Sequence, residues 1–175
     1  MPEPHEEVEL DEHVQHARAP FEKIVAGSMA MIAALLAVVS VLGQHYNTET
    51  LLNQQLASDQ WSFYQAKDIR RYVAQFAQDS LIESKASPDV IGKYTADAAR
   101  YKNQTSEIQE KAREYEKERT KTGRISRGFH FGEVFLEVAI VFSSLSILTR
   151  RRPLFIAGVG FALIGVVFAA TASWF

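Results

Sequence analysis

Apolar positions gather into three blocks, residues 24–42, 134–148 and 153–173, and strongly charged sequence separates the first from the second. Within that charged stretch apolar residues return only every three or four positions. A soluble core does not segregate its hydrophobic residues in this way. The first block reads IVAGSMAMIAALLAVVSVL without a charge, and at about 1.5 Å rise per residue it covers a hydrocarbon core of roughly 30 Å. The second block is shorter and has Glu133 and Glu137 at its start. Counting from Phe129, where Phe129, Phe131 and Phe135 make an aromatic approach, gives it about 20 residues, enough to span. The pattern predicts an all-α membrane protein. It has an acidic tail over residues 1–20, transmembrane helices over 21–43, 129–149 and 154–175, a short basic loop over 150–153, and a long extramembrane helical hairpin over 44–128.

Residues 47–121 read as two helices broken once at Ser87-Pro88-Asp89, where serine suits an N-cap and proline the first helical position. In the second arm Ile91, Tyr94, Ala98, Tyr101, Thr105, Ile108, Ala112 and Tyr115 alternate spacings of three and four. That is a coiled-coil seam of small and aromatic knobs flanked by charges. The first arm offers Leu52, Leu56, Phe63, Ala66, Ile69, Val73 and Phe76 as the matching face, with Trp61, Tyr64 and Tyr72 partly off it. Two helices alone bury little surface. The aromatics Trp61, Phe63, Tyr64 and Tyr72 are therefore the expected contacts to a second copy or to another protein. Gly43 allows the first span to continue as helix into the first arm, whereas Gly123 and Gly128 are expected to interrupt the return path.

Inside the bilayer, Ala26, Ala30, Ala33, Ala37 and Ser40 fall on one face of the first span. Gly158, Ala162, Gly165, Ala169 and Ala172 do the same in the third. Small residues let helix backbones approach where lipid removes the hydrophobic incentive to associate, so Ala30, Ala33, Ala37, Gly158, Ala162 and Gly165 are read as packing positions. The run GVGFALIG lacks the preceding strand and the lysine of a phosphate loop, and it is assigned to the same role. Trp174 and Phe175 suit an interfacial anchor. The sequence ahead of the first block is acidic and no cleavage pattern follows Leu42, which favours an uncleaved anchor over a secretory signal.

The candidate chemistry lies in His130, Glu133 and Glu137, which share a helical face leading from the interface into the bilayer, continued by Ser144. A charged carboxylate as deep as Glu137 is costly, so it is expected to be protonated, to face other helices, or to meet water or a cation. His45 could join His130 and Glu133 at the mouth. The alternative is a neutral glutamic acid bonded to serines across a helix interface. In the tail, Glu9, His13 and His16, with His5 nearby, have a spacing that can gather metal ligands, but two imidazoles without a closed geometry hold metal weakly. No metal and no cofactor is assigned. Asn103-Gln104-Thr105 matches a glycosylation sequon in a helical setting and is read as coincidence.

Composition changes this picture little. The 175 residues carry a net charge of -2 and a mean hydropathy of -0.11, an average over two solvents. Cysteine is absent, which removes disulfides, thiolate metal sites and cysteine nucleophiles. Without a nucleophile-base pair at readable spacing, a phosphate loop or HExxH, the chain is read as no enzyme. Charge placement matters more. Arg150, Arg151 and Arg152, with Arg18 and Lys23, predict that the N-terminus and the short loop are cytoplasmic and the hairpin faces outward. Lys117, Arg119, Lys121, Arg124 and Arg127 oppose this, but a connection longer than about 60 residues weighs less in that rule.

The stretch NTETLLNQQLASDQWSFYQAKDIR at residues 47–70, followed by FHFGEVFLEVAIVFSSLSILTRRR at 129–152, resembles a family of small uncharacterised bacterial three-span membrane proteins known only as a domain of unknown function. The likeness covers nearly the whole chain. It implies a long helical insertion between spans and no assigned activity, cofactor or substrate, and it carries over no functional residue. The expectation is a non-enzymatic protein of the bacterial cytoplasmic membrane whose hairpin mediates homo-oligomer assembly or docks an envelope partner. Its contacts would be membrane lipid and protein, without nucleic acid. The alternative is a proton- or cation-handling component of a membrane complex, using Glu137 with Glu133, His130 and His45.

Overall fold

A computed structural model describes the backbone of residues 4–172 and 174, and side chains from Pro20 onward. The tail residues His5, Glu9, His13 and His16, together with Arg18, fall outside the described side chains, and Phe175 is likewise outside. The described residues form three helices and no strand: α1 (Pro4–Glu83), α2 (Pro88–Thr149) and α3 (Arg152–Ala172). Each contains a segment long and apolar enough to cross a membrane. The chain divides into two compact units, Met1–Tyr46 with Arg124–Phe175, and Asn47–Gly123.

Local chemistry sets both breaks. At the end of α1 the amide of Lys85 donates to the Ile82 carbonyl at 3.1 Å and that of Ala86 to Leu81 at 3.0 Å. This is the paired closure of a Schellman motif, and it requires the left-handed conformation that Lys85 adopts at φ 54°. The Ser87 carbonyl then accepts from Val90 and Ile91, with Pro88 at the first helical position where its missing amide costs nothing. Between α2 and α3 only Arg150 and Arg151 intervene, with Arg150 at φ 56°.

The expected interruption at Gly123 and Gly128 does not occur, since α2 runs through both. Gly128 has a packing role instead. A Cβ there would stand 2.6 Å from that of Ala172, so close helix contact compensates the poor helix propensity of glycine.

In the first unit the core gathers Ile32, Val39, Ile125, Phe129, Leu136, Ala139, Ala162 and Ala172. Helices α2 and α3 approach closely along Gly132, Gly158 and Gly165. A Cβ at Gly165 would meet the Gly132 carbonyl oxygen at 2.8 Å, and one at Gly158 the Ser143 hydroxyl at 2.9 Å. The small face of the third span is thus buried at Gly158, Ala162, Gly165 and Ala172. That of the first is not, because Ala26, Ala30, Ala33 and Ala37 are exposed. Helix α1 packs through Val25, Ile32 and Val39, spaced by seven, and through Gly43 beside Phe129. Where α2 and α3 use glycine for proximity, α1 fills its contact with branched side chains. Ser126 donates to the Gly43 carbonyl at 3.3 Å, and Tyr46 stacks on Phe129 at 5.7 Å.

In the second unit, α2 turns its alternating seam inward, with Ala98, Thr105, Ile108 and Ala112 buried. The partner face of α1 departs from the sequence expectation. Ala57 and Ala74 are buried, and Trp61, Tyr64, Lys67 and Arg71 are half-buried along the same line. Of the apolar stripe expected to face inward, Leu52, Phe63, Ala66, Ile69, Val73 and Phe76 are exposed and Leu56 is half-buried. Small knobs on α2 favour small or snorkelling partners on α1: the Lys67 ammonium donates to Gln104 at 3.1 Å and lies 5.6 Å from the Tyr101 ring, leaving its stem to pack. Thr50 donates to Thr122 at 2.9 Å, within methyl contact of Gly123.

Candidate functional site

The feature of the second unit that asks for a function is the outward face of α1. Leu52, Phe63, Ile69, Val73 and Phe76 are 58, 49, 63, 62 and 75 % exposed. Leu52, Leu56, Phe63, Ala66 and Val73 fall on one line of three- and four-residue steps along α1, and Ile69 and Phe76 widen it. A helix that is apolar on two faces has one partner within its own chain and one face left over. Asp59 and Arg70 lie on the same line.

The four aromatics singled out from the sequence divide between these faces. Trp61 turns toward α2, its indole nitrogen donating to Glu116 at 2.9 Å, with Tyr64 edge-on at 5.6 Å. Phe63 and Tyr72 are exposed, each beside a cation: Lys67 lies 5.4 Å from the Phe63 ring and Arg71 4.7 Å from that of Tyr72. The Arg71 head is also held by Asp68 at 2.8 Å. The outward surface is therefore aliphatic and phenyl in character, with aromatic faces partly occupied by their own helix.

In the first unit, His130 Nδ1 and Glu133 Oε2 are 3.2 Å apart, and the Ser40 hydroxyl donates to the same carboxylate. His45 packs edge-on against Tyr46 at 5.4 Å. Among the described residues no three or more His, Asp or Glu side chains converge as metal ligands would, so His45, His130 and Glu133 do not form such a group. Glu137 is exposed, as is Ser144. The helical face predicted to lead inward from His130 thus carries its deepest carboxylate on the outer surface of α2. Ser143 and Ser146 are the fully buried serines of α2, Ser143 beside Gly158 of α3.

Sequence reasoning passed over one further place. Arg124 and Arg127, read only as topology signals, line a groove of about 300 Å³ together with Phe131, Phe168 and Thr171. The spacing of 124, 127 and 131 on one helical face was the available signal.

Residues 21–175 match the model of a family described as Domain of unknown function (DUF4337). No curated protein and no solved structure matches the chain.

Proposed function

The chain belongs to the family described as Domain of unknown function (DUF4337), and from its own residues we propose a non-enzymatic integral membrane protein whose hairpin mediates self-assembly or docks an envelope partner. The observation that carries this reading is the apolar stripe on the outer face of α1. In a segment outside the bilayer, exposed Phe63, Ile69, Val73 and Phe76 form a surface of the kind that marks protein contact. Glu137 supports the same reading, because a carboxylate on the outer surface of a span is costly against lipid and is relieved when another helix covers it. The membrane is the bacterial cytoplasmic membrane, with the N-terminus and Arg150 to Arg152 cytoplasmic and the hairpin outward.

Cysteine is absent from the natural sequence, so a single introduced thiol reports alone. Val73→Cys in native membranes, alkylated with a maleimide that carries a photoreactive diazirine and then irradiated, is expected to give a dimer-sized or heavier adduct. Ala98→Cys, in the buried seam, is expected to stay monomeric. A dimer-sized adduct identifies self-assembly and a heavier one a docked partner. Monomer alone at Val73→Cys and at Phe76→Cys would remove the reading.

A further inference from the structure

The groove between α2 and α3 joins two chemistries that one ligand class combines. On α2, Arg124, Arg127 and Phe131 follow one another at spacings of three and four, on one face. On α3, Phe168 and Thr171 form the opposite wall. The Phe131 and Phe168 ring centroids are 6.0 Å apart, and the two rings remain 58 and 40 % exposed. Apart from the arginines and Thr171, the lining is apolar.

The depth of the groove follows from the packing. The Gly128–Ala172 contact makes α2 and α3 level at that point. Ala172 is the last residue of a 21-residue helix that is about 30 Å long and so fills the hydrocarbon thickness. Ala172 then lies at the hydrocarbon boundary, where the exposed Trp174 marks the interface. Arg127 stands at that boundary and Arg124 one turn beyond it, at the depth of lipid phosphates. Phe131 and Phe168 lie one turn inside, at the depth where acyl chains begin. Basic pockets between transmembrane helices are a recurrent way of holding anionic headgroups.

We propose that this groove binds an anionic glycerophospholipid, with its phosphate between Arg124 and Arg127 and an acyl chain over Phe131 and Phe168. The assignment rests on α2 and α3 spanning the bilayer and is independent of the hairpin's role. The full chain carrying Trp61→Phe retains Trp174 as its one tryptophan. This protein is placed in phosphatidylcholine vesicles containing a minor share of phosphatidylglycerol, with bromine on the acyl chains of one lipid or the other.

Brominated phosphatidylglycerol is expected to quench Trp174 on the order of tenfold more per molecule than brominated phosphatidylcholine, as two arginines near one headgroup allow. Combined Arg124→Gln and Arg127→Gln should bring the two lipids to parity with helix content unchanged. Lys117→Gln with Lys121→Gln, which removes as much charge outside the groove, should keep the preference. Equal quenching by both lipids, or a preference that survives loss of the arginines, would overturn the assignment. A preference abolished by inorganic phosphate would make the site one for the free anion. Absence of quenching by either lipid would instead overturn the membrane-spanning reading beneath it.

Discussion

Lys85 occupies the left-handed position that closes α1, a place where glycine avoids a steric cost of about 1–2 kcal/mol. Lys85→Gly is therefore expected to raise stability by about 1 kcal/mol, read as a higher thermal midpoint of the detergent-solubilised chain. The opposite sign is expected at Gly165. A Cβ there meets the Gly132 carbonyl oxygen at 2.8 Å and Leu136 Cγ at 3.0 Å, so backbone must give way. Gly165→Ala should cost about 1–3 kcal/mol in a denaturant titration. Gly160→Ala, whose new methyl meets nothing within 4 Å, should be neutral or slightly stabilising through helix propensity. Equal effects at the two glycines would mean that close approach of α2 and α3 is not what Gly165 provides.

For the elements, the inward and outward faces of α1 in the second unit make separate predictions. Ile69→Gln, Val73→Gln and Phe76→Gln together should leave helix content and the α1–α2 pairing intact, because none of these side chains is buried. They should abolish the adduct formed through Ser62→Cys, a neighbouring exposed position. Loss of helix signal would instead assign the stripe to folding.

These faces also show how much the sequence could disclose. Helix identity, the break at Ser87-Pro88 and the α2 seam follow from periodicity and capping, which are local. The inward face of α1 does not, because hydrophobicity singled out Leu52, Phe63 and Val73, while the pairing uses Ala57, Tyr64, Ala74 and the stems of Lys67 and Arg71. A long cationic side chain whose head finds a partner can lie in a seam, and composition alone does not reveal that partner. The small face of α3 is buried and that of α1 exposed for a related reason. The small-residue rule identifies where backbones can approach, and which neighbour fills the contact depends on tertiary arrangement. In the polar group, the His130–Glu133 pairing follows from i,i+3 spacing, while the outward turn of Glu137 depends on how α2 is rotated against its neighbours.

At the scale of the whole molecule, orientation is open to direct measurement. Ser87→Cys places a lone thiol at the exposed turn between α1 and α2. A membrane-impermeant maleimide is expected to label it in intact cells. Labelling only after lysis would invert the orientation and move the search for partners to the cytoplasm. The triple arginine is the basis of this expectation, and replacing Arg150, Arg151 and Arg152 with glutamine should reduce the labelled fraction in intact cells.

The two-residue connection at Arg150 and Arg151 also bears on how the chain is made. So short a link leaves α3 no freedom to settle in the bilayer apart from α2. In the proposed topology the two enter the bilayer as a single hairpin, with a charged tip that resists translocation. Until α3 arrives, Gly132, Leu136 and the Ser143 hydroxyl lack the α3 glycines that pack on them. On that topology a nascent chain arrested after Thr149 would present an unfinished surface of the kind that quality-control proteases recognise, and α2 and α3 would be made in one event in place of two.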